Sequence, residues 1–89
     1  MKRILITGAT SGIGRATALR LAAPDTKIII TGRRLDRLNA LSKEITAKGA
    51  ECEVLNFDVR SEHECTKHLR PLGYVDVLIN NAGLAAGLE

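Results

Sequence analysis

The chain has 89 residues, 45% of them apolar and 26% charged, which suits one small folded domain and argues against disorder. Its longest uncharged stretch, Val77–Leu88, has twelve residues, short of the roughly 20 that span a bilayer, and Lys2-Arg3 precedes only Ile4-Leu5-Ile6, too short for a secretory leader. Residues 1–48 carry ten Lys/Arg against three Asp/Glu, and residues 49–89 carry three against seven, so the basic half points to an anionic partner.

Ile4-Leu5-Ile6-Thr7 is a short apolar run closed by Gly8, and it reads as a buried strand. A glycine-rich turn follows, then a helix from about Ser11 to Ala23, ended by Pro24-Asp25. Arg15 and Arg20 interrupt that helix's periodicity, and its packing surface is largely Gly and Ala. Lys27–Thr31 is a second, β-branched strand bounded by Gly32. The next helix runs from about Leu35 to Lys48, with Leu35, Leu38, Leu41 and Ile45 inside an arc of about 120° facing the core. Gly49 is placed to cap its end. Glu53–Phe57 is a third strand ending at Asp58. Ser61-Glu62-His63-Glu64 has the form of a capping box, opening a short helix that stops before Pro71. Val75–Ile79 is a fourth strand, followed by Asn80-Asn81-Ala82-Gly83.

Strand and helix therefore alternate, which favours an α/β fold with a parallel sheet and helical crossovers. The near-continuous apolar strands suit burial on both faces. The arrangement predicted is a doubly wound sheet in strand order 3-2-1-4 with helices on both faces, each packed back on the sheet as right-handed crossovers require.

Thr7-Gly8-Ala9-Thr10-Ser11-Gly12-Ile13-Gly14 lies between a strand and a helix. Glycine permits the tight turn and lets backbone approach a diphosphate. The helix N-terminus then offers unpaired N–H groups and partial positive charge. Thr10 and Ser11 are candidate hydroxyl donors to the same anion. In dinucleotide folds, a residue about 20 positions past the glycines meets the adenosine ribose. Here that place holds Arg33, followed by Arg34. An acid would favour the 2′-hydroxyl of NAD, whereas a guanidinium suits the 2′-phosphate of NADP. Asp36 belongs to the start of the following helix, where it favours the dipole.

The turn Thr7–Gly14, Asp58-Val59 and Asn80-Asn81-Ala82-Gly83 together resemble the short-chain dehydrogenase/reductase family, over essentially all 89 residues. The resemblance implies a Rossmann-type fold and hydride transfer between NAD(P) and an alcohol or carbonyl substrate. It implies that Gly8, Ser11, Gly12, Ile13 and Gly14 line the pyrophosphate, that Arg33 and Arg34 take the 2′-phosphate, and that Asp58 and Val59 meet the adenine. Asn80, Ala82 and Gly83 match the segment beside the adenosine ribose and the sheet edge. Gly32-Arg33-Arg34 and Gly83-Leu84-Ala85 look most like the NADP-dependent 3-hydroxy acid, serine-type members. Intact members of such a family are expected to be homo-oligomers.

The family's chemistry rests on a Ser and a Tyr-x-x-x-Lys pair. The one tyrosine here, Tyr74, has Leu78 four residues on, so no catalytic residue is assigned. The chain reads as a single partial dinucleotide-binding domain, residues 1–89, with NADP(H) expected over NAD(H). The alternatives are a non-catalytic NADP-binding module, a truncated gene product and, more remotely, another Rossmann-like fold such as a methyltransferase. Nucleic acid is disfavoured as a partner, because Phe57 and Tyr74 are the only aromatics for stacking. No membrane partner is expected. His63, Cys65 and His68 are not expected to bind metal, since on a helix His63 lies about 140° from His68 and about 160° from Cys65. Cys52 and Cys65, with no export signal, read as reduced thiols of a cytoplasmic protein.

Overall fold

The computed structural model describes residues 1–81. Four strands, β1 (Lys2–Thr7), β2 (Thr26–Gly32), β3 (Glu51–Asn56) and β4 (Val77–Asn80), alternate with three helices, α1 (Gly12–Leu21), α2 (Leu35–Ala47) and α3 (Glu62–Leu69). A short 3-10 turn over Arg70–Leu72 follows α3. The strands form one sheet in the order β3-β2-β1-β4, and every neighbouring pair is parallel. This is the predicted order, with the chain reversing its direction across the sheet between β1 and β4.

Side-chain alternation divides the sheet into two faces. Ile4, Ile6, Ile28 and Ile30 on one face form the core with Ala18 of α1 and Leu38, Leu41 and Ile45 of α2. Ala18 and Gly14 are the buried residues of α1, so this helix approaches the sheet through small side chains. Leu5 and Ile29 are buried on the opposite face. The β3-to-β4 crossover runs counter to the first two, so the right-handed rule carries α3 over that second face. His68 of α3 stacks on Phe57, with ring centroids 4.6 Å apart.

The element ends differ from the sequence reading for local reasons. β1 begins at Lys2, since backbone pairing of Lys2 with Thr26 and Arg3 with Lys27 leaves the charged side chains free of the core. α1 stops at Leu21, because the Thr26 hydroxyl accepts from the Ala23 N–H and donates to the Ala23 carbonyl, closing a turn. β3 spans Glu51–Asn56, and Phe57 lies past its end with its N–H donating to the Gly32 carbonyl. β4 begins at Val77, because Asp76 is occupied with Arg3. Its N–H donates to the Arg3 carbonyl and its carboxylate accepts the Arg3 N–H. Leu35, assigned to the apolar stripe, is 49% exposed at the first position of α2. Gly49 caps α2 as expected, with φ of +90° and its N–H donating to the Thr46 carbonyl.

The capping box at Ser61 forms by half. Ser61 Oγ accepts the Glu64 N–H at 3.3 Å. The Ser61 N–H donates to the Asp58 carbonyl, and the Glu64 carboxylate faces His68 at 3.4 Å instead. Both cysteines are free thiols, and burial pushes the Cys52 thiol upward. Among the described residues no helix is long and apolar enough to cross a membrane.

Candidate functional site

The β1–α1 turn sits where the strand order reverses, at the carboxyl ends of the strands. Gly8 has φ of +65°, a conformation that favours glycine. The Ala9 N–H donates to the Thr31 carbonyl, fixing the turn to the end of β2. A side chain at Gly14 would place its Cβ 2.5 Å from the Gly8 carbonyl oxygen and 2.9 Å from Asn81 Nδ2. Gly14 therefore lets α1 close onto the turn. A Cβ at Gly12 would meet nothing within 4 Å, so the backbone there is open to a ligand. Ile13 is 71% exposed beside it.

Ser11 is the N-cap of α1. Its Oγ accepts the Gly14 N–H at 3.3 Å, donates to the Gly8 carbonyl at 3.0 Å, and receives Asn81 Nδ2 at 2.6 Å. A hydroxyl has one donor and two acceptor places, and all are used. The hydroxyl expected to donate to a bound anion is thus committed to the turn. Asn81, 9% exposed, also donates to the Gly8 carbonyl at 3.0 Å. It ties the end of β4 to the glycine turn. Asn81 belongs to the Asn-Asn-Ala-Gly motif, whose resemblance assigns roles to its neighbours and none to it. A polar residue directly after an apolar strand, opposite a glycine turn, was the available signal. Asn80 accepts from Thr7 Oγ1 at 3.0 Å, joining β4 to β1. Ala82 and Gly83 lie outside the described residues.

At the end of β2, Arg33 and Arg34 are both exposed. Together with Thr10, Ser11 and Arg37 they line a cleft of about 500 Å³. Arg37, in the first turn of α2, carries no signal of its own in the sequence. Gly32, just before Arg33, packs closely, since a Cβ there would lie 3.2 Å from both Leu38 and Thr10.

Asp58 stands after β3 with its carboxylate held by Arg60. The Arg60 N–H donates at 2.9 Å and the guanidinium at 3.0 Å. These hydrogen bonds hold the Asp58 carboxyl below the usual carboxylate range. Arg33 approaches the same carboxylate at 3.9 Å. Val59, half-buried, follows, and its carbonyl lies 3.1 Å from the Cys65 sulfur. The structure thus brings Gly8, Ser11, Gly12, Ile13, Gly14, Arg33, Arg34, Asp58, Val59 and Asn80 to the carboxyl ends of the strands.

The family model described as "short chain dehydrogenase" matches residues 2–89. Serine 3-dehydrogenase of Rhizobium radiobacter is 49% identical over 88 residues, covering 94% of this chain and 34% of that protein. The NADP-dependent 3-hydroxy acid dehydrogenase YdfG of Salmonella typhi is 41% identical over 90 residues, covering 97% and 35%. A short-chain dehydrogenase from Sphingobium yanoikuyae, solved in complex with NADPH, superposes with a TM-score of 0.80 at 30% identity, covering 91% of this chain and 34% of that one. The chain thus spans about a third of the length of these relatives. With a glycine turn at the strand-order reversal of a 3-2-1-4 parallel sheet, and the family match along nearly its whole length, the chain belongs to the short chain dehydrogenase family.

Proposed function

We propose that this chain forms the NADP(H)-binding part of a short-chain oxidoreductase that moves hydride between a nicotinamide cofactor and an alcohol or carbonyl substrate. A 3-hydroxy acid is the substrate class favoured, from the serine- and 3-hydroxy-acid-acting relatives. The observation that carries the cofactor assignment is the juxtaposition of Arg33 and Arg34 with the glycine turn across one cleft. In this reading Gly8, Ser11, Gly12, Ile13 and Gly14 border the pyrophosphate. The open backbone at Gly12 supports that contact. Arg33 and Arg34 bind the 2′-phosphate, Asp58 and Val59 border the adenine, and Asn80, with Ala82 and Gly83, borders the ribose.

The cofactor, when bound, would accept hydride from an alcohol or give it to a carbonyl. The residues here bind and orient its adenosine end, and proton transfer is assigned to none of them. These 89 residues contain no Tyr-x-x-x-Lys. In this reading the working protein is a soluble, cytoplasmic homo-oligomer with no nucleic-acid or membrane partner.

Charge-assisted hydrogen bonds of guanidinium to phosphate contribute about 1.5–3 kcal/mol, or about ten- to a hundredfold in affinity. Titration of the 89-residue chain with NADPH and NADH should show a preference of that order for NADPH. Arg33→Asp should flatten or reverse it. Equal binding of both cofactors before and after the substitution would sink the assignment.

A further inference from the structure

We propose that Arg37 is a specificity-determining residue of the same site, a third guanidinium reading a phosphate on the adenosine ribose. The inference rests on the NADP(H) reading above. Arg37 lines the cleft with Arg33 and Arg34. Among the described residues the cluster's one ion-pair contact is the long one from Arg33 to Asp58, at 3.9 Å. Arg60 already holds that carboxylate at 3.0 Å. Arg34 and Arg37 have no acidic partner among the described residues. Three cations therefore share one concave surface that supplies little negative charge of its own. A dianionic phosphate is the group that would satisfy them, and planar guanidinium forks match its oxygens.

The position of Arg37 strengthens the case. Arg34 is the N-cap of α2 and makes no side-chain capping bond. Arg37 is then the third residue of the helix. A cation in a helix's first turn opposes the macrodipole, and arginine is a poor substitute for a capping Ser or Asp. α2 thus begins with two residues that disfavour it electrostatically, and both line the cleft. An anion bound there would relieve both the mutual repulsion and the clash with the dipole.

The experiment compares 2′,5′-ADP, which carries the ribose phosphate, with 5′-AMP, which lacks it, on the 89-residue chain and its Arg37→Gln variant. Calorimetry gives affinities, and dichroism melts give Tm with and without ligand. Arg37→Gln should weaken 2′,5′-ADP by about tenfold, the effect of one charge-assisted contact, and leave 5′-AMP unchanged. The ligand-free Tm should stay level or rise, since an unfavourable first-turn charge is gone. Arg37→Lys, which keeps the charge, should recover part of the lost affinity. Equal losses for both ligands, or a fall in the ligand-free Tm accounting for the loss, would overturn the proposal in favour of a structural role. Undiminished 2′,5′-ADP binding in the variant would overturn it while leaving the NADP(H) reading standing. A parent chain with no preference for 2′,5′-ADP would overturn both.

Discussion

Gly12 and Gly14 are two residues apart and do opposite things. Gly14 is enclosed by the Gly8 carbonyl and Asn81, while Gly12 faces open space. Gly14→Ala should destabilise by about 1–3 kcal/mol, the usual range for an inserted methyl in a packed site. Gly12→Ala should leave stability unchanged and weaken dinucleotide binding. Thermal melts and cofactor titrations on the two variants separate these effects, and loss of stability in both would refute the division. Two carboxylates bear on the acid response. Asp58 is held below the usual range by the Arg60 hydrogen bonds, and Asp76 by the Arg3 N–H and the Tyr74 hydroxyl. A lowered folded value means each stabilises fully above the unfolded value of about 3.9. That stability is lost as pH falls through the folded value. Melting temperature should hold level from neutrality to about pH 5 and fall below that, with a shallower fall in Asp76→Asn. An identical acid limb in the variant would show that Asp76 contributes nothing.

The helices and strands were legible in the sequence where local pattern and tertiary packing agree. α2 is the clearest case, since Leu38, Leu41 and Ile45 are the residues it buries. Leu35 misled because periodicity places it on the stripe, whereas the stripe meets the sheet only from the next turn on. β4 starts two residues later than its pattern suggests, because Val75 and Asp76 look like strand while Asp76 is held by Arg3 in three dimensions. Arg37 was illegible for a related reason. Its place beside Arg33 and Arg34 depends on α2 starting at Leu35, so that its first turn lies at the carboxyl end of β2 with the glycine loop. Spacing alone presents it as one more solvated charge. The half-formed capping box at Ser61 is testable at this scale. The Ser61 hydroxyl is the cap that forms, so Ser61→Ala should cost about 1 kcal/mol of stability. Glu64→Ala should cost much less, because its carboxylate does not complete the box. Denaturant titration of both variants decides the ranking.

At the scale of the molecule, alternation points to a parallel sheet and crossover handedness to helices packed back on it, while the order 3-2-1-4 needed the glycine turn and the family resemblance as well, since other doubly wound orders obey the same two rules. The consequence of that order is an edge at β4, which pairs with β1 on one side among the described residues. Leu78 on that strand is 59% exposed although its ladder neighbour Leu5 is 5% exposed. Unpaired apolar edges template association, and small domains are marginal when alone. The purified 89-residue polypeptide should therefore self-associate in light scattering, melt at low temperature and show no dehydrogenase turnover. Leu78→Lys should shift it toward monomer. A monodisperse parent melting cooperatively above about 60 °C, high for mesophile domains, would contradict this.

The claim that joins these scales is that the glycine turn and the arginine cleft form one adenosine-phosphate site. Amide chemical shifts of the labelled chain, recorded with NADP and again with NAD, test it most directly. Both cofactors should perturb Gly8–Gly14, Asp58, Val59 and Asn80. The difference between the two should concentrate at Arg33, Arg34 and Arg37. Shifts centred on the opposite ends of the strands, around Arg3 and Asp76, or an identical map for the two cofactors, would contradict it.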